Sequence, residues 1–286
     1  WVQKGLDIDG DFAGDLLGYG LSLSSDGNTV AVGALHNDAN GKSSGLARVY
    51  GYSNSAWSQI GSDIKGAEGD ALGSSVSISS DGNTLAVGAI NNDDNGTHSG
   101  HVRVFEYSNN TWTQKGLDIQ GEAANDHSGR QVYISSDGTR VAIGAPENDG
   151  GGSNSGHVRV FDWSGNAWTQ IGSDIDGKSG GDQVGFIKRL ALSSDGNTVV
   201  LSSAYNNSNT GYVQVYTYTN NAWTQKGSDI LGNTSGDYFG SSVSISPDGN
   251  VIAIGSSYTG NASYAGFARV LEYSNNTWTQ LGTDIQ

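Results

Sequence analysis

Three loops carry the residue types that bind hard cations. They read HNDANG at His36–Gly41, NNDDNG at Asn91–Gly96 and ENDGGG at Glu147–Gly152. Asp38 with Asn40, Asp93 with Asn95, and Glu147 with Asp149 set oxygen donors on alternate residues, as a calcium loop does. Calcium in at least one of these loops is the cofactor expectation. The competing reading is that Asn, Asp and Gly make tight turns. The two later loops of the same kind, YNNSNTG at Tyr205–Gly211 and SYTGNASYAG at Ser257–Gly266, have lost most of the charge.

A second carboxylate set recurs as Asp-x-x-Gly, at Asp15, Asp70, Asp126, Asp182 and Asp237. A group present in every copy suits a structural role, accepting backbone N–H bonds at the entry to a strand. Arg48, Arg103, Arg159 and Arg269 also recur, with Gln214 in the remaining place, and can pair with aspartates such as Asp63 and Asp118 between blades. Catalysis would need a departure from the repeat, since one copy suffices. The five histidines lack metal-site spacing, and no nucleophile, base and orienting acid stand together, so a non-catalytic protein is expected. The clearest departure is VGFIKRLALSS, which brings Lys188 and Arg189 into an acidic chain. With Trp163 and Tyr205 they form the candidate ligand-contact set.

These residues must be positioned by a repeat. Tryptophans at 1, 57, 112, 168, 223 and 278 are spaced by 55 or 56 residues. Each opens a phrase such as WTQKGLDI. Then come the Asp-x-x-Gly loop, an alternating run such as SVSIS at Ser75–Ser79, the turn SDGN, the apolar run TLAVGA, a polar loop, and HVRVFEY. Period-two alternation in SVSIS puts Val76 and Ile78 on one face of a strand. Asp-Gly predicts a two-residue hairpin turn with positive φ angles. TLAVGA is apolar throughout, as a strand covered on both faces should be, and its Ala and Gly leave room for close packing. Four strands repeated five times make an all-β chain of the β-propeller class, in which stacking buries sheets that could not be buried singly. The periodic tryptophans are expected between blades.

The chain therefore reads as one repeat domain over 1–286, with units near 1–56, 57–111, 112–167, 168–222 and 223–277, and an extra outer strand at 278–286. The tryptophan phrase occurs six times and the other strands five. The surplus has three explanations: a longer array, an end that pairs elsewhere on the molecule, or strand addition to a neighbouring chain. Strand-addition self-assembly is thus one partner expectation.

Composition narrows the partners. There are 44 glycines, two prolines, no cysteine and no methionine, and a net charge of −15 on only 15% charged residues. Such a surface repels nucleic acid and anionic lipid, so neither is an expected partner. No apolar run approaches membrane-spanning length, so no membrane insertion is expected. A first residue of Trp, without Met, suits a processed chain. Sequons at Asn95, Asn109, Asn206, Asn233, Asn261 and Asn275 are candidate glycosylation sites if the chain is secreted.

The phrases LGSSVSISSDGNTLAVGA at Leu72–Ala89 and GHVRVF at Gly100–Phe105 resemble the FG-GAP repeat of integrin α-chain propellers, in its short-turn variety from bacterial and algal surface proteins. Phe239–Gly240 and Gly144–Ala145–Pro146 supply the literal elements. The resemblance implies an extracellular or cell-surface, non-catalytic module for recognition or adhesion of protein or glycan, within a larger surface assembly. Integrin-type repeats hold calcium between their first two strands. Here that place is the SSDGN turn, with too few oxygens for six to eight ligands. The alternative is a multivalent lectin binding neutral or anionic glycans through its loops.

Overall fold

The computed structural model describes residues 1–257 and 266–286, so Asn261 and Tyr258 lie outside the described residues. The chain divides into two compact units, Trp1–Val141 with Asp162–Thr169, and Ala142–Phe161 with Gln170–Gln286. Unit one holds the first two sheets and unit two the last two. All five sheets are antiparallel meanders of β-propeller type. No helix among the described residues is long and apolar enough to cross a membrane.

The second repeat shows why each strand forms. Its strands run Leu72–Ile78, Thr84–Ala89, His101–Ser108 and Thr111–Gln114. The first strand begins with a bulge: Leu72 pairs with Ala89, and the next pair is Ser75 with Gly88. Gly73 sits there at φ 88, which favours glycine. Thr84–Ala89 is buried at every position, because sheets cover both its faces.

The turn between the first two strands corrects the sequence expectation. Only Gly82 has positive φ; Asp81 does not. Four residues, 80–83, link Ser79 to Thr84, closed by Gly82 N–H to Ser79 O at 3.0 Å and Ser79 N–H to Thr84 O at 2.8 Å. The reason lies in side chains. Ser79 Oγ donates to Asp81 Oδ1 at 2.6 Å, and Asn83 N–H donates to the same oxygen at 3.0 Å. Those bonds favour the longer loop over a two-residue turn.

The fourth strand comes in two pieces. Thr111–Gln114 pairs with the end of His101–Ser108, while Ile119–Gln120 pairs with its beginning. Between them the chain bulges through Gly116, at φ 83. The first repeat bulges in the same way and holds Asp63 against Arg48 on the neighbouring strand. The Arg–Asp pairs therefore lie within a blade rather than between blades: Arg48 Nε to Asp63 at 2.7 Å, and Arg269 Nε to Asp284 at 2.8 Å.

Sheet-to-sheet contact is close. In unit one Val49 and Ile64 join Leu72, Val76, Ile78 and Leu85 in one core. In unit two Val213, Val215 and Ile230 join Phe239, Val243 and Ile254. Glycine permits the approach. A Cβ on Gly33 would lie 2.0 Å from the Gly73 carbonyl oxygen, and one on Gly88 2.1 Å from that of Gly129. The tryptophans fasten the outer edges. Trp112 Nε1–H donates to Ile60 O at 3.0 Å, Trp168 to Lys115 O at 2.7 Å, Trp223 to Ile171 O at 2.8 Å and Trp278 to Lys226 O at 2.7 Å. Each also packs on an aromatic of its own hairpin, as Trp112 does on Tyr107 at 4.9 Å.

The surplus phrase is the first one. Thr277–Gln280 completes the fifth sheet, whereas residues 1–16 form no strand. Lys4 O still accepts the Trp57 indole N–H at 2.7 Å, and Lys4 Nζ lies 4.5 Å from the Tyr52 ring. The N-terminal phrase thus sits where a preceding blade's outer strand would sit.

Two predictions follow from this packing. Gly88→Ala drives a methyl into backbone that cannot turn aside, and should cost about 1–3 kcal/mol in denaturant unfolding. Gly255→Ala meets only the rotatable Ser242 hydroxyl and should cost much less; equal costs would contradict the packing argument. The second concerns acid. The Ser24 hydroxyl, then the Asn28 backbone and side-chain amides, pull Asp26 down to about 2. Asp248 is lowered first by the Ser246 hydroxyl. Asp81, Asp137 and Asp195 are also lowered, because hydrogen bonds outweigh the opposing effect of burial. A depressed folded-state pKa contributes stability that is complete above the ordinary value of 3.8 and drains as pH falls through the folded value. The thermal midpoint should hold near neutrality and drop below about pH 4. A midpoint unchanged to about pH 2 would refute this contribution.

Candidate functional site

The acidic loops are closed by their own side chains. Asp38 Oδ1 accepts Ser43 N–H, Asp93 Oδ1 accepts His98 N–H, and Asp149 Oδ1 accepts Asn154 N–H, each at 2.7 Å. Asn40 Nδ2 donates to Gly66 O at 2.8 Å and Asn95 Nδ2 to Gly121 O at 2.7 Å. One oxygen of each aspartate is thus committed to holding the loop. Glu147 is half-buried. Of the sequons, Asn95, Asn109, Asn233 and Asn275 are exposed, while Asn206 is partly buried and donates to Asp182 at 2.8 Å.

The Asp-x-x-Gly carboxylates are structural. All five are buried. Asp70 Oδ2 accepts Ala67 N–H at 2.9 Å, Asp126 Oδ2 accepts Ala123 N–H at 3.0 Å, and Asp237 Oδ2 accepts Thr234 N–H at 3.0 Å. Asn37 ties Asp15 to the loop between the second and third strands at 2.7 Å, and Asn92 ties Asp70 at 3.2 Å. The conserved spacing within the chain therefore orders the loops around it.

Of the candidate ligand contacts, the structure brings Arg189 and Tyr205 together. The guanidinium lies 4.2 Å from the Tyr205 ring and 5.1 Å from that of Phe186. Arg189 is buried, whereas Lys188 is exposed and adopts φ 65. Trp163 takes the place of the hairpin tyrosine: it stacks on Trp168 at 5.2 Å under Lys115 Nζ at 5.4 Å.

Two cavities of one design occur at residues the sequence reading did not single out. In unit two an open cavity of about 370 Å³ is lined by Asp174, Ile175, Asp176, Tyr216 and Trp223 among others. In unit one a cavity of about 260 Å³ is lined by Asp7, Ile8, Asp9, Tyr50 and Trp57 among others. The lining residues correspond position by position in the repeat. Asp-Ile-Asp closes only two of the six tryptophan phrases; the other four end in Lys65, Gln120, Leu231 and Gln286. Tyrosine occurs at this place on the third strand only as Tyr50 and Tyr216, against Phe105, Phe161 and Leu271. That coincidence was the available signal.

The cavity lining offers two carboxylates as hydrogen-bond acceptors, and tyrosine adds a hydroxyl and an aromatic body. The Trp223 indole N–H is already given to Ile171 O, so the indole contributes its ring. Burial, then the neighbouring Asp174 charge, raises the Asp176 carboxyl. Burial, then Asp229 and Asp176, raises the Tyr216 phenol, which therefore stays protonated near neutrality. Paired carboxylates repel anionic ligands and favour neutral ones.

Comparison with known proteins agrees with this architecture. The FG-GAP repeat matches residues 62–105 and 120–161. No curated protein matches the chain in sequence. Among solved structures, a putative 6-phosphogluconolactonase from Bacteroides fragilis superposes with TM-score 0.56 at 15% identity, covering 92% of this chain and 69% of that one. A second, from Bacteroides uniformis, gives 0.53 at 13% identity, covering 94% and 85%. TolB from Acinetobacter baumannii gives 0.48 at 15% identity, and the chain spans 55% of its length. At these identities the two Bacteroides structures define the fold alone. The chain has a β-propeller fold, and two of its segments, residues 62–105 and 120–161, match the FG-GAP repeat.

Proposed function

We propose that this chain is a non-catalytic recognition module of the extracellular space or cell surface, binding neutral glycans through the Asp-Ile-Asp cavities. The observation that carries the reading is the recurrence of one cavity design in both units, built at the only repeats with Asp-Ile-Asp and tyrosine. Two such sites suit weak binding to a repeating polymer, where avidity raises a low single-site affinity. Adhesion to glycan-bearing surfaces is the corresponding role. The neighbours named as putative lactonases support no reaction here, since they share only the fold.

The test is a glycan and polysaccharide array, run in calcium and in chelator, with wild type and Asp176→Asn/Tyr216→Phe. Neutral glycan binding that survives chelator and falls about tenfold in the variant supports the cavities. Binding lost in chelator moves the site to the Asp38, Asp93 and Asp149 loops and makes it calcium-dependent. Binding to no glycan removes the lectin reading.

A second reading, self-assembly, has its own observation. Leu21 and Leu23 are 66% and 56% exposed, while Val76 and Ile78 at the same places in the next repeat are each 6% exposed. Within unit one, what covers Val76 and Ile78 is the preceding blade. A blade offered by a second copy would cover Leu21 and Leu23 in the same way, as self-assembly requires. Sedimentation over a concentration series should show association that Leu21→Ser/Leu23→Ser abolishes. A wild-type chain that stays monomeric throughout ends this reading.

A further inference from the structure

A histidine is buried at the entry to a third strand. His101 opens that strand in the second repeat, at 3% exposure. Neither ring nitrogen makes a hydrogen bond. Nδ1 faces two carboxylates, Asp118 Oδ2 at 3.5 Å and Asp94 Oδ2 at 3.9 Å. These contacts are too long for hydrogen bonds, yet all three donor atoms lie within 4.8 Å of one another. Asp118 comes from the bulge in the fourth strand, and Asp94 from the loop after the second.

Comparison among repeats shows what His101 changes. Leu46 and Phe267 occupy its place in the first and fifth repeats. There the bulge aspartate pairs with arginine, Asp63 with Arg48 and Asp284 with Arg269. In the second repeat Asp118 turns to the imidazole instead. Arg103 then reaches Lys65 O through Nη2 at 2.9 Å, and its buried Nε makes no hydrogen bond. Breaking an ion pair found elsewhere in the chain needs a compensating partner for Asp118.

The geometry points to a divalent transition-metal site, of the kind zinc occupies, formed by His101 Nδ1, Asp118 Oδ2 and Asp94 Oδ2. Zinc bonds to nitrogen and oxygen at about 2.0–2.2 Å, which places tetrahedral donors about 3.4 Å apart. The His101–Asp118 separation already matches. Asp94 is 61% exposed at its side chain and is free to close the remaining gap. The supporting contacts are also present. Gln114 Nε2 donates to Asp118 Oδ1 at 2.5 Å, which orients the other oxygen toward the imidazole. Gln120 Nε2 lies 3.5 Å from Asp94 Oδ2. Water completes the coordination on the exposed side.

This site uses a different carboxylate from the one expected to bind calcium in the loop Asn91–Gly96. Asp93 closes its loop, and it is Asp94, the next residue, that faces His101. Imidazole with carboxylates favours zinc-like ions over calcium, which prefers oxygen alone. A related pair, His157 Nδ1 and Asp174 Oδ2 at 3.8 Å, occurs in the third repeat.

The experiment uses the untagged full chain, stripped with chelator and titrated by calorimetry with zinc and, separately, calcium. The variants are His101→Leu, a change Leu46 shows the fold accepts, and Asp118→Asn. Circular dichroism checks that each variant is folded. His101→Leu should remove one equivalent of zinc, and Asp118→Asn should weaken that equivalent at least tenfold. Cobalt substituted into wild type should show a visible d–d band that His101→Leu abolishes. Absence of stoichiometric zinc binding, or uptake unchanged in both variants, would overturn the assignment. So would calcium binding tightly at the same residues in preference to zinc.

Discussion

Everything in this chain depends on how one four-stranded sheet is held against the next. A single sheet of this size has two apolar faces and cannot cover both. The repeat answers with a fixed set of contacts at each junction. Glycine backbones meet at van der Waals limits, as Gly33 and Gly73 do. Valine and isoleucine of one sheet fill against the next. At the outer edge an indole N–H bonds the backbone of the preceding strand. None of these contacts is worth more than a few kcal/mol alone. Their period of 55 or 56 residues is what multiplies them.

A chain constrained this way has little freedom for function in its shared positions. The Asp-x-x-Gly carboxylate, the turn serine and aspartate, and the tryptophan are all occupied by backbone groups or by each other. Chemistry can appear only where one repeat departs from the others. The bulge aspartate shows this clearly. Its backbone position is constant, but its partner changes with the third strand: arginine for Asp63 and Asp284, Gln214 for Asp229, and an imidazole nearby for Asp118. One structural carboxylate is thus turned to different uses by a single neighbouring substitution.

The strand order and the role of the tryptophans were legible because they repeat. The turn was misread, because Asp-Gly suggested two positive φ residues, whereas the serine hydroxyl and the aspartate build a longer loop. The split fourth strand was invisible, since the bulge at Gly116 breaks no apolar pattern. Among sites, the density of Asp and Asn drew attention to loops whose carboxylates are half-spent on their own backbone. The cavities depend on two departures that coincide in space but are distant in sequence: the second aspartate of Asp-Ile-Asp, and a tyrosine where others have phenylalanine or leucine. His101 was equally hard to find. Beside Leu46, Tyr212 and Phe267 it reads as one more side chain at a tolerant position, and its carboxylate neighbours come from two other segments.

The cavity and the His101 cluster use the same architectural opportunity in opposite ways. The larger cavity and the cluster lie where the fourth strand bulges before returning to the third, and the smaller cavity uses the same phrase at the strandless residues 1–16. In the cavities Asp7 and Asp174 stand with a second carboxylate, and tyrosine gives the site an aromatic wall. At His101 the corresponding aspartate, Asp118, lies 3.5 Å from a buried ring. An aspartate after the isoleucine and a tyrosine on the next third strand accompany each cavity, whereas histidine at the strand entry puts an imidazole beside the bulge aspartate. Asp174 meets both conditions, lining the larger cavity while lying 3.8 Å from His157. At that aspartate the cavity wall and the buried imidazole share one carboxylate.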